Sequence, residues 1–155
     1  MVIAFKMSRF LLALGIILAM VPLTISSASS FSASKVNLFP EFTKWHIYVV
    51  NGLSNNQNLF TECKSTENDL GTYNLSPGSN FTWSFRTNFI HSTLFWCHVS
   101  KDNASASFEV FWYDAHLFNK CDWKNCIWVA KEDGIYLIDF SEHVEELYYM
   151  WGVEM

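Results

Sequence analysis

The chain predicts an all-β fold: an antiparallel two-sheet β-sandwich of about seven or eight short strands, stapled by two disulfides. Three observations carry this. The dominant hydrophobic period is two, as in Phe81-Thr82-Trp83-Ser84-Phe85-Arg86, where rings alternate with polar side chains as they do on a half-buried strand. Similar aromatic and β-branched runs recur between clusters of turn residues. Finally, four cysteines, an even count, follow an export leader.

The leader comes first. Residues 1–28 read as a secretory signal peptide, with Lys6 and Arg9 as the basic region and an uncharged apolar run from Phe10 to Val21. A membrane span needs about 20 apolar residues, and Pro22 and the serines between Ser26 and Ser30 break this run. Stable membrane insertion is therefore not expected. Cleavage is expected after Ala28, with Ser30 as the rival site, leaving the 127 residues from Ser29 to Met155 as one secreted domain. Residues 29–44 lack a pattern and predict an extended, partly mobile arm; residues 45–155 form the sandwich. The leader holds two of the ten basic residues and none of the fifteen acidic ones, so the mature charge is −7. Nucleic acid is excluded as a partner, since a phosphate backbone demands a clustered basic surface. The acidic run after Lys131 reads as a solubilising face.

Strands are predicted at 47–50, 59–63, 81–85, 94–99, 108–113, 127–130 and 135–140, with turns at Asn51-Gly52, Ser76-Pro77-Gly78-Ser79 and Asp133-Gly134. Asp-Gly accommodates the positive φ angles of a tight hairpin, so the strands at 127–130 and 135–140 should pair antiparallel. The runs at 93–97 and 108–113 are apolar on both faces and belong in sheet centres, joined by a loop over 100–107. Val144, Leu147, Tyr148 and Trp151 fit a helix, whereas Leu147, Tyr149 and Trp151 fit a strand. The aromatic richness is that of rings filling a small core.

Cys63, Cys97, Cys121 and Cys126 predict two disulfides, with all three connectivities open. The bridges are expected to tie the first third of the mature chain, or its centre, to the region around Trp123. Zinc is disfavoured because Cys121 and Cys126 are spaced too widely for a ligand pair and no His pair follows. No catalytic, metal or cofactor-binding residue is expected. The five histidines accompany no nucleophile motif, and Glu62, Glu109 and Asp114 are the carboxylates that a hydrolase would have to bring together. Asn103, Asn80 and Asn74 head N-glycosylation sequons, with Asn103 the preferred acceptor.

An ordered series of motifs runs through the mature chain: Glu62-Cys63-Lys64-Ser65, Asp69-Leu70-Gly71, Phe81-Thr82-Trp83-Ser84-Phe85, Thr93-Leu94-Phe95-Trp96-Cys97, Cys126-Ile127-Trp128-Val129 and Glu132-Asp133-Gly134-Ile135-Tyr136. The series resembles the plant self-incompatibility S-protein homologue family. The resemblance implies a small secreted β-sandwich glycoprotein, a strand at the C-terminus, and action as an extracellular recognition ligand for a cell-surface receptor protein, as in pollen rejection. Two departures bear on specificity: Glu62 stands where many members have His, and Ile90-His91-Ser92 replaces a glycine-containing turn. Recognition is expected from loops at 54–58, 67–78, 100–107 and 115–125. The alternative reading is a cell-wall or glycan-binding module using Trp112, Trp123, Trp128 and Trp151; a secreted hydrolase ranks last.

Overall fold

Alternating burial organises the molecule. The structure, a computed structural model describing residues 40–54 and 56–153, stacks the buried strand faces into two five-stranded sheets. The strands are β1 (Trp45–Asn51), β2 (Leu59–Ser65), β3 (Asp69–Leu75), β4 (Asn80–Phe85), β5 (Phe95–Lys101), β6 (Ala104–Phe111), β7 (Asn125–Ala130), β8 (Gly134–Asp139), β9 (Val144–Met150) and the two-residue β10 (Gly152–Val153). A short helix, α1 (Ala115–Lys120), precedes β7. One sheet has the order β4-β1-β7-β8-β9, the other β10-β6-β5-β2-β3.

In β1 every second residue is buried, which turns Trp45, Ile47 and Val49 towards the core. Trp128, Ile135 and Leu137 join them from the same sheet, and Leu59, Cys63, Phe95, Cys97, Val99, Phe108 and Val110 face them from the other. The buried indole of Trp128 donates to the Val110 carbonyl at 2.9 Å, so its polar edge pins β7 to β6 across the sandwich. All pairings are antiparallel except β1 with β7, which run parallel from His46 opposite Asn125 to Asn51 opposite Ala130. A parallel pair requires a long crossover, and here that crossover builds the entire second sheet except its two-residue edge strand β10.

Much of the expected layout is present. β7 pairs with β8, β5 and β6 form a hairpin with β5 central, and the C-terminal segment is a strand. Several details differ. The 67–78 loop is mostly β3, an edge strand with four exposed positions among its seven. The 115–125 loop contains α1, whose first turn is held by the Asp114 carboxylate accepting from the backbone of His116 (2.8 Å) and Leu117 (3.0 Å). The 100–107 loop shrinks to Asp102 and Asn103, because β5 and β6 pair as far as Lys101 opposite Ala104. Of the expected arm, residues 40–44 are packed: Pro40–Phe42 form a 3-10 turn whose Pro40 carbonyl accepts from the Trp45 indole at 3.3 Å. The leader and residues 29–39 lie outside the described residues.

The disulfides join Cys63 to Cys97 and Cys121 to Cys126. Only the second lies near Trp123, which corrects the expectation that both bridges reach that region. Cys63 and Cys97 are directly opposed on β2 and β5, with Cα atoms 4.1 Å apart, so strand register brings the thiols together. Gly134 also needs a different explanation. Positive φ occurs at Gly71 and Gly78 among the described glycines, not at Gly134. A Cβ at Gly134 would lie 2.5 Å from both Leu147 Cδ1 and the Tyr149 carbonyl oxygen, so its constraint is the close approach of β9.

Candidate recognition surfaces

The loops gather at the two ends of the sandwich. At one end Asn51 is fully buried, and its side chain donates to the carbonyls of Gln57 and Leu75, each at 2.8 Å, while accepting from the Leu53 backbone at 2.9 Å. The backbone of Asn51 also exchanges hydrogen bonds with the 76–79 turn through Ser79 O and Gly78 N. The Ser54 backbone donates to the Glu132 carboxylate at 2.5 Å, and the hydrogen bonds at Ser54 hold that carboxyl down to about 2. Lys101 donates to the Glu132 carbonyl, and the Trp151 indole donates to that of Lys131. Gln57 and Asp102 join two of the expected recognition loops. This end has closed on itself.

The opposite end is built from Pro40–Phe42, the 86–94 loop and the turn after α1. The Asn88 side chain accepts from the Ser92 backbone and donates to the Ser92 hydroxyl, while the Asn88 backbone donates to Thr93 Oγ1, all at 2.9 Å. His91 takes a positive φ and stacks on Tyr113 with ring centroids 4.0 Å apart. Burial, followed by the negative charge of Glu41, raises the Tyr113 hydroxyl above its ordinary pKa. The loop thus fixes its own backbone and holds Phe89 and Ile90 outward. Beside it the 65–68 turn and residues 85–95 frame an open cleft of about 480 Å³, with Arg86 and Glu67 on its walls.

The outer face of the second sheet brings together residues that the sequence left scattered. Glu62, His98 and Ser107 stand opposite one another on β2, β5 and β6, with His98 Nδ1 hydrogen-bonded to Ser107 Oγ at 2.9 Å. Phe60 and Trp96 flank the row. Only strand register reveals it. A serine–histidine–carboxylate set becomes catalytic with an ordered base and donors around a reacting oxyanion. Here the row lies on a sheet face, Ser107 is exposed, and Glu62 accepts from Lys64 at 3.0 Å. Asp114 caps α1, and Glu109 is exposed on β6, so the three candidate carboxylates serve separate local roles.

The four tryptophans of the glycan reading do not assemble into one platform. Trp128 is fully buried, while Trp112, Trp123 and Trp151 are half-buried against the core. Trp151 lies at the closed end, and Trp123 follows Cys121 at the other. Asn74, Asn80 and Asn103 are all exposed, on β3, at the start of β4 and in the β5–β6 turn. Among the described residues, no helix is long and apolar enough to cross a membrane, and no His, Cys, Asp and Glu side chains cluster as a metal site.

The architecture defines a disulfide-stapled β-sandwich that displays loops from a fixed frame. Residues 46–151 match the family described as plant self-incompatibility protein S1, and the chain belongs to that family. It is 46% identical to S-protein homolog 1 of Arabidopsis thaliana over 116 residues, covering 75% of this chain and 77% of the relative. Identity to S-protein homolog 74 of the same plant is 52% over 98 residues, 63% of this chain and 65% of that one, so the match spans just under two thirds of that relative. Self-incompatibility protein S1 of Papaver rhoeas is 28% identical over 123 residues, 78% and 86% of the two chains. A solved self-incompatibility protein homologue shares the fold, with a TM-score of 0.57 at 18% identity over 70% of this chain and 95% of that one. That work describes a widespread family of small, highly stable, secreted proteins from plants. The motif resemblance and the sandwich are therefore confirmed, and secretion is the family's described property.

Proposed function

We propose that this chain is a secreted, disulfide-bonded glycoprotein that acts, without catalysis of its own, as an extracellular recognition ligand for a cell-surface protein. The carrying observation is the division between frame and display. Two disulfides and a buried polar hub hold the strands, while Phe89 and Ile90 are held outward by the hydrogen bonds of their own loop. The name of the Papaver relative, a self-incompatibility protein, supports recognition as the kind of task this scaffold performs. Asn103 is the preferred glycan acceptor, exposed in the turn between β5 and β6. The test is saturable binding of the tagged, secreted protein to protoplasts from the organ that makes it; absence of saturable binding by correctly folded protein sinks this reading.

A cell-wall or glycan-binding module is the second reading. The observation favouring it is the outer face of the second sheet, where Phe60 and Trp96 flank the hydrogen-bonding row Glu62, His98 and Ser107. Aromatic faces beside hydrogen-bonding groups suit pyranose rings. A cell-wall oligosaccharide array with no signal above that of a Trp96→Ala variant removes it.

A further inference from the structure

Three of the four most exposed large apolar side chains in the described chain share one end of the sandwich: Phe42 is 68% exposed, Phe89 76% and Ile90 80%. Phe42 and Phe89 meet edge to face, with ring centroids 6.3 Å apart. Side chains this exposed add little to the core, and the Asn88 hydrogen bonds keep their loop from folding them inward. A contiguous exposed apolar patch on a rigid loop is the property of a docking site.

The cations at this end point the same way. Trp45 lies opposite Phe85, so Lys44 and Arg86 follow as neighbours just beyond the paired strands. The His46 backbone donates to the Lys124 carbonyl at 2.8 Å, which places Lys124 next along the same strand ends. Every other described lysine is engaged: Lys64 with Glu62, Lys120 with Asp139 and Glu146, Lys131 with Glu145, and Lys101 with the Glu132 carbonyl and the Trp151 ring. Among the described residues, the three cations without an ion pair or hydrogen-bond partner form this row, in an acidic chain.

Resting on the recognition-ligand reading, we infer that this end is where the cell-surface partner docks, and that the partner is a protein offering an apolar pocket to Phe89 and Ile90 with acidic groups on its rim opposite Lys44, Arg86 and Lys124. A bilayer fits less well. It responds to summed charge, which Glu41, Glu67 and Asp122 at the same end offset, whereas a protein surface meets each charge separately.

The test uses the full secreted protein on the same protoplasts, comparing wild type with F89S/I90S, with K44E/R86E/K124E, and with M150S, which removes an exposed apolar side chain from the far end of β9. The expected result is at least about tenfold weaker binding for F89S/I90S and weaker, less salt-sensitive binding for the charge variant. M150S should bind as wild type, and all variants should melt as wild type does. If wild type binds saturably and both end variants bind equally well, the assignment falls and the ligand reading stands. No saturable binding by wild type overturns both. Undiminished binding to protease-stripped protoplasts, or to phosphatidylcholine vesicles containing phosphatidylglycerol, assigns the end to lipid and overturns the protein partner. Wild-type dimers in light scattering that F89S/I90S dissolves assign it to a second copy, with the same consequence.

Discussion

The two ends of the sandwich are held rigid in different ways. At the Asn51 end, rigidity comes from polar groups that turn inward: one buried amide joins three segments, and Glu132, Lys101 and Trp151 close the neighbouring loops with hydrogen bonds. At the Phe89 end the frame has covalent support, with Cys63–Cys97 joining β2 to β5 and Cys121–Cys126 closing the turn after α1. A hydrogen-bonded hub engages the loop groups that could otherwise meet a partner. A disulfide beneath the loops stabilises the strands and leaves those side chains available. The difference separates an end closed by its own polar groups from an end that leaves Phe42, Phe89 and Ile90 exposed.

Removing the covalent support should have the largest effect. Cys63→Ala with Cys97→Ala opens a 34-residue separation, and Cys121→Ala with Cys126→Ala one of 5. Chain entropy gives losses of about 4 and about 2 kcal/mol respectively. Denaturant midpoints of the two double variants measure this, and equal losses would break the ranking. Next, Asn51→Ala leaves two buried backbone groups and one part-buried one without their partner and should cost about 2–3 kcal/mol, with faster amide exchange at Leu53 and unchanged exchange across the 86–94 loop. Accelerated exchange at both ends would show that they are not independent.

A smaller effect concerns pH. Hydrogen bonds from Ser54 hold the Glu132 carboxyl at about 2, below its ordinary 4.5. A depressed folded-state pKa means the contribution is fully present above about 4.5 and is lost as pH falls through about 2. Glu132→Gln should therefore flatten the acid limb of the unfolding midpoint between those values, and added salt should shrink the wild-type effect because the carboxylate is exposed. An identical acid limb in the variant would show that Ser54 and Glu132 are not coupled in solution. The smallest change in stability belongs to F89S/I90S, within about 0.5 kcal/mol of wild type. A larger loss by calorimetry would reveal a structural role for Phe89 and Ile90 and blur the distinction.

What could be read from the chain depended on how far each signal reaches. Phe81, Trp83 and Phe85 announce β4 because alternation is local, and Asp133-Gly134 marks the β7–β8 hairpin for the same reason. β3 was obscured because an edge strand buries little: Leu75 is its one buried residue, and Gly71 interrupts it at a φ of 88°. α1 has six residues, too few to establish a helical period, and its cap Asp114 entered the sequence reading only as a candidate carboxylate. The partner of Cys63 and the alignment of Glu62, His98 and Ser107 depend on register between strands, which one-dimensional spacing does not encode. The 86–94 loop lies outside the expected recognition loops, although Ile90-His91-Ser92 within it is a departure from the family pattern.

The parallel contact of β1 with β7 has a consequence for biogenesis. Trp45, Ile47 and Val49 belong to the first strand of the described residues, but β1 lies between β4 and β7, and β7 begins at Asn125. As the chain is made, these apolar side chains wait through the whole stretch between Asn51 and Asn125 before their sheet can be completed. Such long-range closure is slow and leaves hydrophobic surface open to misassembly. The Cys63–Cys97 bridge lies wholly within the waiting segment, so oxidation can consolidate β2 and β5 before β7 arrives to complete the sheet around β1.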